Sequence, residues 1–340
     1  LRSSYSTGFR APSLQQQFFT TTSTNFISGI PYDVTTFPVA DPVARSLGSQ
    51  PLESEDSTNV AVGLVFQLGD GASLTLDAYK INMQNRIVLS ENLTTQEVIA
   101  ELARQNYVGI GGARFFINGI DTRTEGLDIV FAYPIQTENS GRFDITATAN
   151  FNETDITKIP STRQVAALSL PPRLLDHQNY LFLEEAAPKD KLALSLGWTL
   201  NKFSVTSRAT RYGKMIAPNA APSAPAGTLY LLPLGVSAAD VVLQPKTLID
   251  FEVRYQVTDR IKVAFGADNV FDEYPTPNPT SIPNVSMATL TVSPVAGAAP
   301  VPGTTTQTIS VNSTGASSFS NSSPFGRSGR FVYGRVTFGF

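Results

Sequence analysis

Residues 331–340 read FVYGRVTFGF. Val332, Val336, Phe338 and Phe340 share one parity, and Phe331, Tyr333, Arg335 and Thr337 share the other. The first set is apolar; the second mixes aromatic and polar groups around a charge. Successive side chains of a strand point to opposite faces, so strict alternation reads as a strand. The stretch closes on a bare Phe with no polar residue after it. A strand with hydrocarbon on one face and a wet lumen on the other ends naturally in this way.

The same pattern recurs upstream, at 1–9, 59–67, 73–83, 123–133, 142–152, 191–200, 203–212, 248–257 and 261–271. In 248–257, Ile249, Phe251, Val253, Tyr255 and Val257 alternate with Asp250, Glu252, Arg254 and Gln256. On a lipid face each of these charges costs a few kcal/mol at the midplane, whereas on a lumen they pair across strands. The phase blurs near Lys80, where a bulge is expected. With the terminal stretch this predicts an all-β chain, an antiparallel up-and-down transmembrane barrel segment of about ten strands.

Connection lengths sort by parity. Short turns fall at 69–71, 138–141, 201–202 and 258–260; long segments fall at 11–56, 87–119, 155–189, 215–246 and 271–329. Outer-membrane barrels have this asymmetry, with short periplasmic turns and long external loops. An even count puts both ends of the chain on the periplasmic side. Prolines at 12, 31, 38, 42 and 51 argue against regular sheet in the first long segment, and Ala/Pro-rich composition does so in the fourth. Within 87–119 a helix is expected over 95–105. Thr94 and Glu97 would form its capping box, and Val98, Ile99 and Leu102 its apolar stripe.

Composition agrees. The chain is 41% hydrophobic and 16% charged, against roughly 25% charge in soluble domains. It has no run of 18 or more apolar residues, so no helix spans a membrane. There is no cysteine, and the net charge of -3 argues against a nucleic-acid partner. A single histidine, His177, leaves no histidine metal site, and no Gly-rich phosphate loop follows a strand. No cofactor is expected.

Four stretches carry a resemblance. SYSTGFRAPS (4–13), TRTEGL (122–127), DNVFDEYP (268–275) and the terminal GRVTFGF resemble, in that order, the C-terminal barrel region of TonB-dependent outer-membrane receptors. That family's barrel has about 22 strands, so the resemblance implies that residues 1–340 are its C-terminal portion, cut within a strand, with the plug domain, TonB box and leader lying elsewhere. It implies energised uptake of a scarce, bulky nutrient, first a ferric siderophore, with cobalamin, oligosaccharides and peptides as alternatives. It implies coupling to the TonB-ExbB-ExbD complex through the plug, reading of Phe340 by the barrel-assembly machinery, and contact with outer-membrane lipid and lipopolysaccharide. An open half-barrel alone would leave two unpaired edges in lipid, costing several kcal/mol per unsatisfied group.

Candidate ligand contacts divide into two sets. Phe18, Phe19, Phe26, Tyr32 and Phe37 could meet an aromatic or sugar-containing ligand, or simply pack loop on loop. Arg10, Arg104, Arg114 and Arg123 could form a basic funnel for an anionic chelate, or pair with lumenal carboxylates such as Asp128 and Asp144. Alternation places Arg10 lumenward at the rim. His177, beside Asp176, is a loop polar group; the competing reading is an omptin-like, ten-stranded barrel protease. A passive, adhesin-like barrel is the third reading. The first favours a receptor and no enzyme.

Overall fold

The structure is a computed structural model. It describes all residues except 28–29, 161–164, 170–171, 173, 176, 219–234, 237–239, 278–284, 291–306, 313–318, 321 and 340, and leaves out the side chains at 25–31, 70, 285–290 and 307–312. Phe340, Asp176 and the Phe26 side chain therefore lie outside the described residues.

Ten strands form one antiparallel sheet, each hydrogen-bonded to its neighbour in chain order. We label them β1 (Arg2–Arg10), β2 (Glu55–Gln67), β3 (Ser73–Leu89), β4 (Phe116–Gln136), β5 (Arg142–Lys158), β6 (Asp190–Leu200), β7 (Phe203–Tyr212), β8 (Lys246–Gln256), β9 (Ile261–Asp268) and β10 (Phe331–Phe338). The sheet is open, because β1 and β10 are its two edges. β3, β4 and β5 run several residues beyond the predicted spans at their loop ends, where the strict alternation breaks down.

The register keeps apolar parity aligned across the sheet. One row runs Tyr133, Ile145, Leu196, Ser207, Phe251, Ala267 and Val332. A one-residue slip at any junction would turn that strand's apolar set inward. These side chains face outward: Phe265 and Val332 are each 70% exposed, against 5% for Ala264 on the opposite face of β9. No second layer covers Phe251, Trp198 or Phe338 among the described residues. The apolar span of β4, from Leu127 to Ile135, is eight steps of about 3.4 Å. At a tilt near 40° it is ~21 Å tall, close to the band such barrels present to lipid.

Both margins of that band are marked. At the long-loop end the next outward positions are Lys80, Glu125, Glu153, Asp190 and Arg211, with Lys80 Nζ 2.6 Å from Glu125 Oε1. At the turn end lie Phe143, Trp198, Phe203, Tyr255 and Phe338. Trp198 Nε1 donates to the Ser140 carbonyl at 2.8 Å, and the rings of Phe203 and Tyr255 are 4.7 Å apart. Aromatic rings with a polar edge suit that depth.

The other face is polar. A continuous row there runs Arg2, Gly63, Asp77, Asp128, Asn150, Lys191, Tyr212 and Lys246. Arg2 reaches across Gly63 to Asp77, Nε to Oδ1 being 3.0 Å. A Cβ at Gly63 would sit 2.2 Å from that carboxylate oxygen, so any side chain there would force the pair to shift. Lys191 Nζ sits 5.1 Å above the Tyr212 ring.

The phase change falls at Asn85 rather than near Lys80. Asn85 takes φ 54°, and the β3–β4 register shifts between Met83 and Arg86. Lys80 keeps the regular phase and faces outward. The bulge turns Arg86 to the lumenal side, opposite Ile120. The DNVFDEYP stretch ends β9: Asn269 and Asp272 adopt positive φ, and the Asn269 side chain accepts from Glu273 N (2.9 Å) and donates to Glu273 O (2.7 Å).

The two faces predict different tolerances. Leu194→Arg, on the outer face, should destabilise the membrane-embedded protein by about 2–4 kcal/mol, and Thr148→Arg, on the lumenal face at similar depth, by less than about 1 kcal/mol. Equilibrium unfolding in lipid vesicles measures both; equal costs would contradict the assignment of faces.

Candidate functional site

Among the described residues, the first three long connections form a layer with its own core. Phe37, Val43, Ala44 and Leu47 from the first connection pack with Leu93, Val98, Leu102, Ala113 and Phe115 from the second and Leu168 and Leu174 from the third. The second connection supplies the expected helix, Gln96–Arg104. Its cap lies one residue further on than the sequence suggested. Thr95, not Thr94, accepts from Val98 N at 3.3 Å. Glu97 turns away from the cap and accepts from Ser169 N at 2.9 Å, tying the third connection to the second; the Ser169 side chain and then its amide hold the Glu97 carboxyl below the usual range.

The prolines did not exclude sheet. Residues Thr21–Ile27 and Ile30–Thr36 form an antiparallel hairpin, and Val34–Thr36 pair in parallel with Gly112–Arg114. Pro31 stands near the hairpin tip, away from the stretch where the third strand pairs, so its missing N–H is needed for no ladder bond there. The fourth connection likewise contains a short pair, Met215–Ala217 with Val241–Leu243, and the fifth pairs Val285–Leu290 with Gln307–Asn312.

Beneath the loop layer, a charged cluster marks the lumenal rim. Arg10 lies directly across from Glu55, with Nε 2.6 Å from Oε2. The other oxygen, Oε1, accepts from Ile87 N at 2.7 Å, and Glu55 is buried. Arg86, turned inward by the bulge, donates from Nη1 to Thr122 Oγ1 at 3.2 Å. Two guanidinium groups thus share a rim with one carboxylate, and the Arg10 side chain is 61% exposed. A capped helix, Leu14–Phe18, follows Arg10. Ser13 and Gln16 form its capping box, and Leu14, Phe18 and Phe19 are exposed.

The structure separates the remaining candidates. Phe37 is buried in the loop core, edge-on to Tyr107 with centroids 5.0 Å apart, and is closed to a ligand. Tyr32 is half-buried at the hairpin, against the close approach of Gly111. Arg104 pairs with Glu101 on its own helix. Arg114 donates from Nε to Thr36 Oγ1 at 2.8 Å and braces the small sheet. Arg123 shares the outward parity of Leu127 and Ile129, so it belongs to the external charged margin and not to a lumenal funnel. Asp128 accepts from Asn150 and Asp144 from Arg142; these carboxylates pair with none of the four arginines. His177 is buried, not a free loop group. Its Nε2 lies 2.8 and 3.0 Å from the two oxygens of Asp240. With Ile216 N donating to the Glu185 carbonyl at 2.9 Å, this fastens the fourth connection to the third.

Glu55, Arg86 and Asp240 escaped the sequence reading. Glu55 precedes the alternating run, Arg86 needs the bulge, and Asp240 lies 63 residues from its partner. A lumenal node further down was missed as well: Glu252 accepts from Tyr333 Oη at 2.8 Å and Arg335 Nη2 at 2.9 Å, and pairs with Arg254.

Two outcomes follow from the loop layer. His177→Leu should loosen the fourth connection from the third by about 1–3 kcal/mol, read as faster protease cleavage within 213–245 with the barrel intact. Burial pushes the Glu101 carboxyl up, but hydrogen bonds involving Gln105, Ser46 and Arg104 outweigh it, so it titrates below the usual range. A depressed carboxyl stabilises the folded state above its unfolded pKa, about 4.3, and that contribution disappears as pH falls through the folded value. Cleavage within 96–104 should therefore rise below about pH 4, and Glu101→Gln should be cleaved already at pH 7 with little further response to acid.

The family model described as "TonB dependent receptor-like, beta-barrel" matches residues 1–270. No curated protein matches the sequence. Among solved structures, a double mutant of the ferric enterobactin receptor PfeA from Pseudomonas aeruginosa is similar at 16% identity and TM-score 0.50, over 80% of this chain and 32% of that one. The copper transporter OprC follows at 14% identity and TM-score 0.45, over 80% and 31%. The ferripyoverdine receptor of Pseudomonas aeruginosa follows at 16% identity and TM-score 0.39, over 67% and 25%. The chain thus spans about a third of the length of the first of these structures. With the family matched over most of its length and ten barrel strands in order, the chain belongs to the TonB-dependent receptor β-barrel family.

Proposed function

We propose that this chain is the C-terminal barrel portion of an outer-membrane receptor that captures an anionic ferric siderophore and imports it with energy from the TonB-ExbB-ExbD complex. In this reading further strands close the barrel, and a plug fills it and carries the TonB contact. The observation that carries the ligand class is the rim cluster. Arg10 and Arg86 place two positive charges around the single carboxylate of Glu55, where the lumen opens beneath the loop layer. A surplus positive charge in a narrow, partly desolvated mouth concentrates an anionic ligand. The exposed rings of Phe18 and Phe19, a few residues beyond Arg10, offer faces to an aromatic chelating group. Membership of the receptor family, and a ferric enterobactin receptor among proteins of this fold, support a siderophore over cobalamin or a sugar.

The test uses the whole receptor and a panel of radiolabelled ferric siderophores under iron limitation. Arg10→Ala and Arg86→Ala should each weaken binding of the cognate ligand about tenfold, the equivalent of one charge-assisted hydrogen bond. Arg104→Ala, which removes only a bond within the loop helix, should change binding less than about twofold. Unaltered affinity in both rim variants would remove the anionic-ligand assignment.

A further inference from the structure

We propose that the anionic ferric chelate crosses the lumen along the inner wall formed by β5, β6 and β7, with Arg208 as the cation that receives it at mid-height. The inference rests on the functional reading above and adds the side of the lumen that the chelate follows. Side-chain size on the inner wall is uneven. Thr146, Thr148, Ala193, Ser195, Gly197 and Thr206 point inward from these three strands, so little more than hydroxyl groups covers the backbone there. The wall rises on both sides. Tyr79 lies over Gly126, where a Cβ would meet its ring at 2.2 Å, and Tyr333 lies over Gly266, where the distance is 2.5 Å. Arg254 and Arg335 join Tyr333 on Glu252 and build that side up further. A bulky solute finds its room where the side chains are short.

The charges single out the same wall. Most lumenal cations are held by carboxylates: Arg2 by Asp77, Arg10 by Glu55, Arg142 by Asp144, Lys246 by Glu273, and Arg254 and Arg335 by Glu252. Outside the rim cluster, Lys191, Arg208 and Lys262 are exposed and make no ion pair among the described residues. They descend in order, Lys191 at the loop end of β6, Arg208 halfway along β7 and Lys262 at the turn end of β9. Lys191 rests over the Tyr212 ring, and Arg208 lies about 14 Å further along β7 from Tyr212. Arg208 stands directly across from Asp250. That carboxylate is engaged elsewhere, however, its Oδ1 accepting from Asn269 N at 2.9 Å at the end of β9. The Arg208 guanidinium thus keeps its fork of donors for a carboxylate or catecholate oxygen. Cations spaced down a passage hold an anion at several sites in turn, each weak enough to release it to the next.

The experiment uses the whole protein in its own outer membrane and a panel of radiolabelled ferric siderophores. Energy-depleted cells give Kd, and energised cells give the maximal uptake rate. For the anionic chelate that binds, Arg208→Gln should lower the maximal rate about tenfold, as expected for one charge-assisted hydrogen bond, and leave Kd within about twofold. Arg208→Lys should restore most of the rate. Ser195→Trp, which fills the low wall without touching a charge, should slow uptake with Kd unchanged; Ser195→Gln replaces it if heat-modified gel migration shows that the larger side chain prevents folding. Thr75→Trp, on the inner face of β3, should change neither quantity. Native uptake in Arg208→Gln or in the filled variant would overturn the proposal, as would an equal loss of rate in Thr75→Trp. Entry of vancomycin into Arg208→Gln cells would overturn it too, by assigning Arg208 to holding the plug. If no anionic chelate binds the native protein, the functional reading itself fails, and the path with it.

Discussion

In hydrocarbon a peptide group has only other peptide groups to bond, and each one left unpaired costs several kcal/mol. That constraint makes the ladder between strands the frame on which everything else hangs. It fixes ten neighbours in chain order and a register that leaves no freedom to slip, because slippage would carry Asp250, Glu252 and Arg254 into lipid together. Once the ladder is set, the side chains are sorted by parity alone. Lipid receives the row from Tyr133 to Val332, and the lumen receives the row from Arg2 to Lys246.

The lumenal charges then become structural. They lie on a wet face, so each pair is individually weak, but they are arranged as crossings between neighbours rather than as isolated contacts. Arg2 passes over Gly63 to Asp77, and Tyr333 and Arg335 converge on Glu252 two strands away. Glycine recurs at such crossings because a Cβ would occupy the path. The loop layer follows a different logic. It lies beyond the apolar band, so it holds itself together as a soluble domain does, with a buried core of Phe37, Leu47, Leu102 and Phe115 and with tethers such as His177 to Asp240. A preformed layer of this kind leaves the rim residues beneath it in defined positions.

The barrel strands were legible because period two is a strong signal when one face meets lipid, and because turn and loop lengths alternate. The loop strands were not. Pro31 reads as a breaker in isolation, and only the pairing geometry reveals that its position needs no N–H. Arg123 was misplaced because it lies beyond the apolar run, where its charge suggested the lumen although parity kept it on the outer face. Arg86 was invisible for the opposite reason: a bulge at Asn85 reverses parity, and nothing in the residue types announces it. Thr94 and Glu97 have the spacing of a capping box, yet Thr95 is the cap, because Glu97 is engaged by Ser169 across the loop layer. Contacts such as Glu55 with Arg10 and His177 with Asp240 join residues far apart in the chain, so no local pattern could pair them.

The account turns on which medium touches each face of β8. Single spin labels placed in turn from Lys246 to Gln256 of the membrane-embedded protein, with collision rates measured against oxygen and against a water-soluble nickel chelate, test this directly. Oxygen collisions should peak at 249, 251, 253 and 255 and chelate collisions at the positions between them. A profile without period two, or one in which the odd positions meet neither reagent because protein covers them, would contradict it.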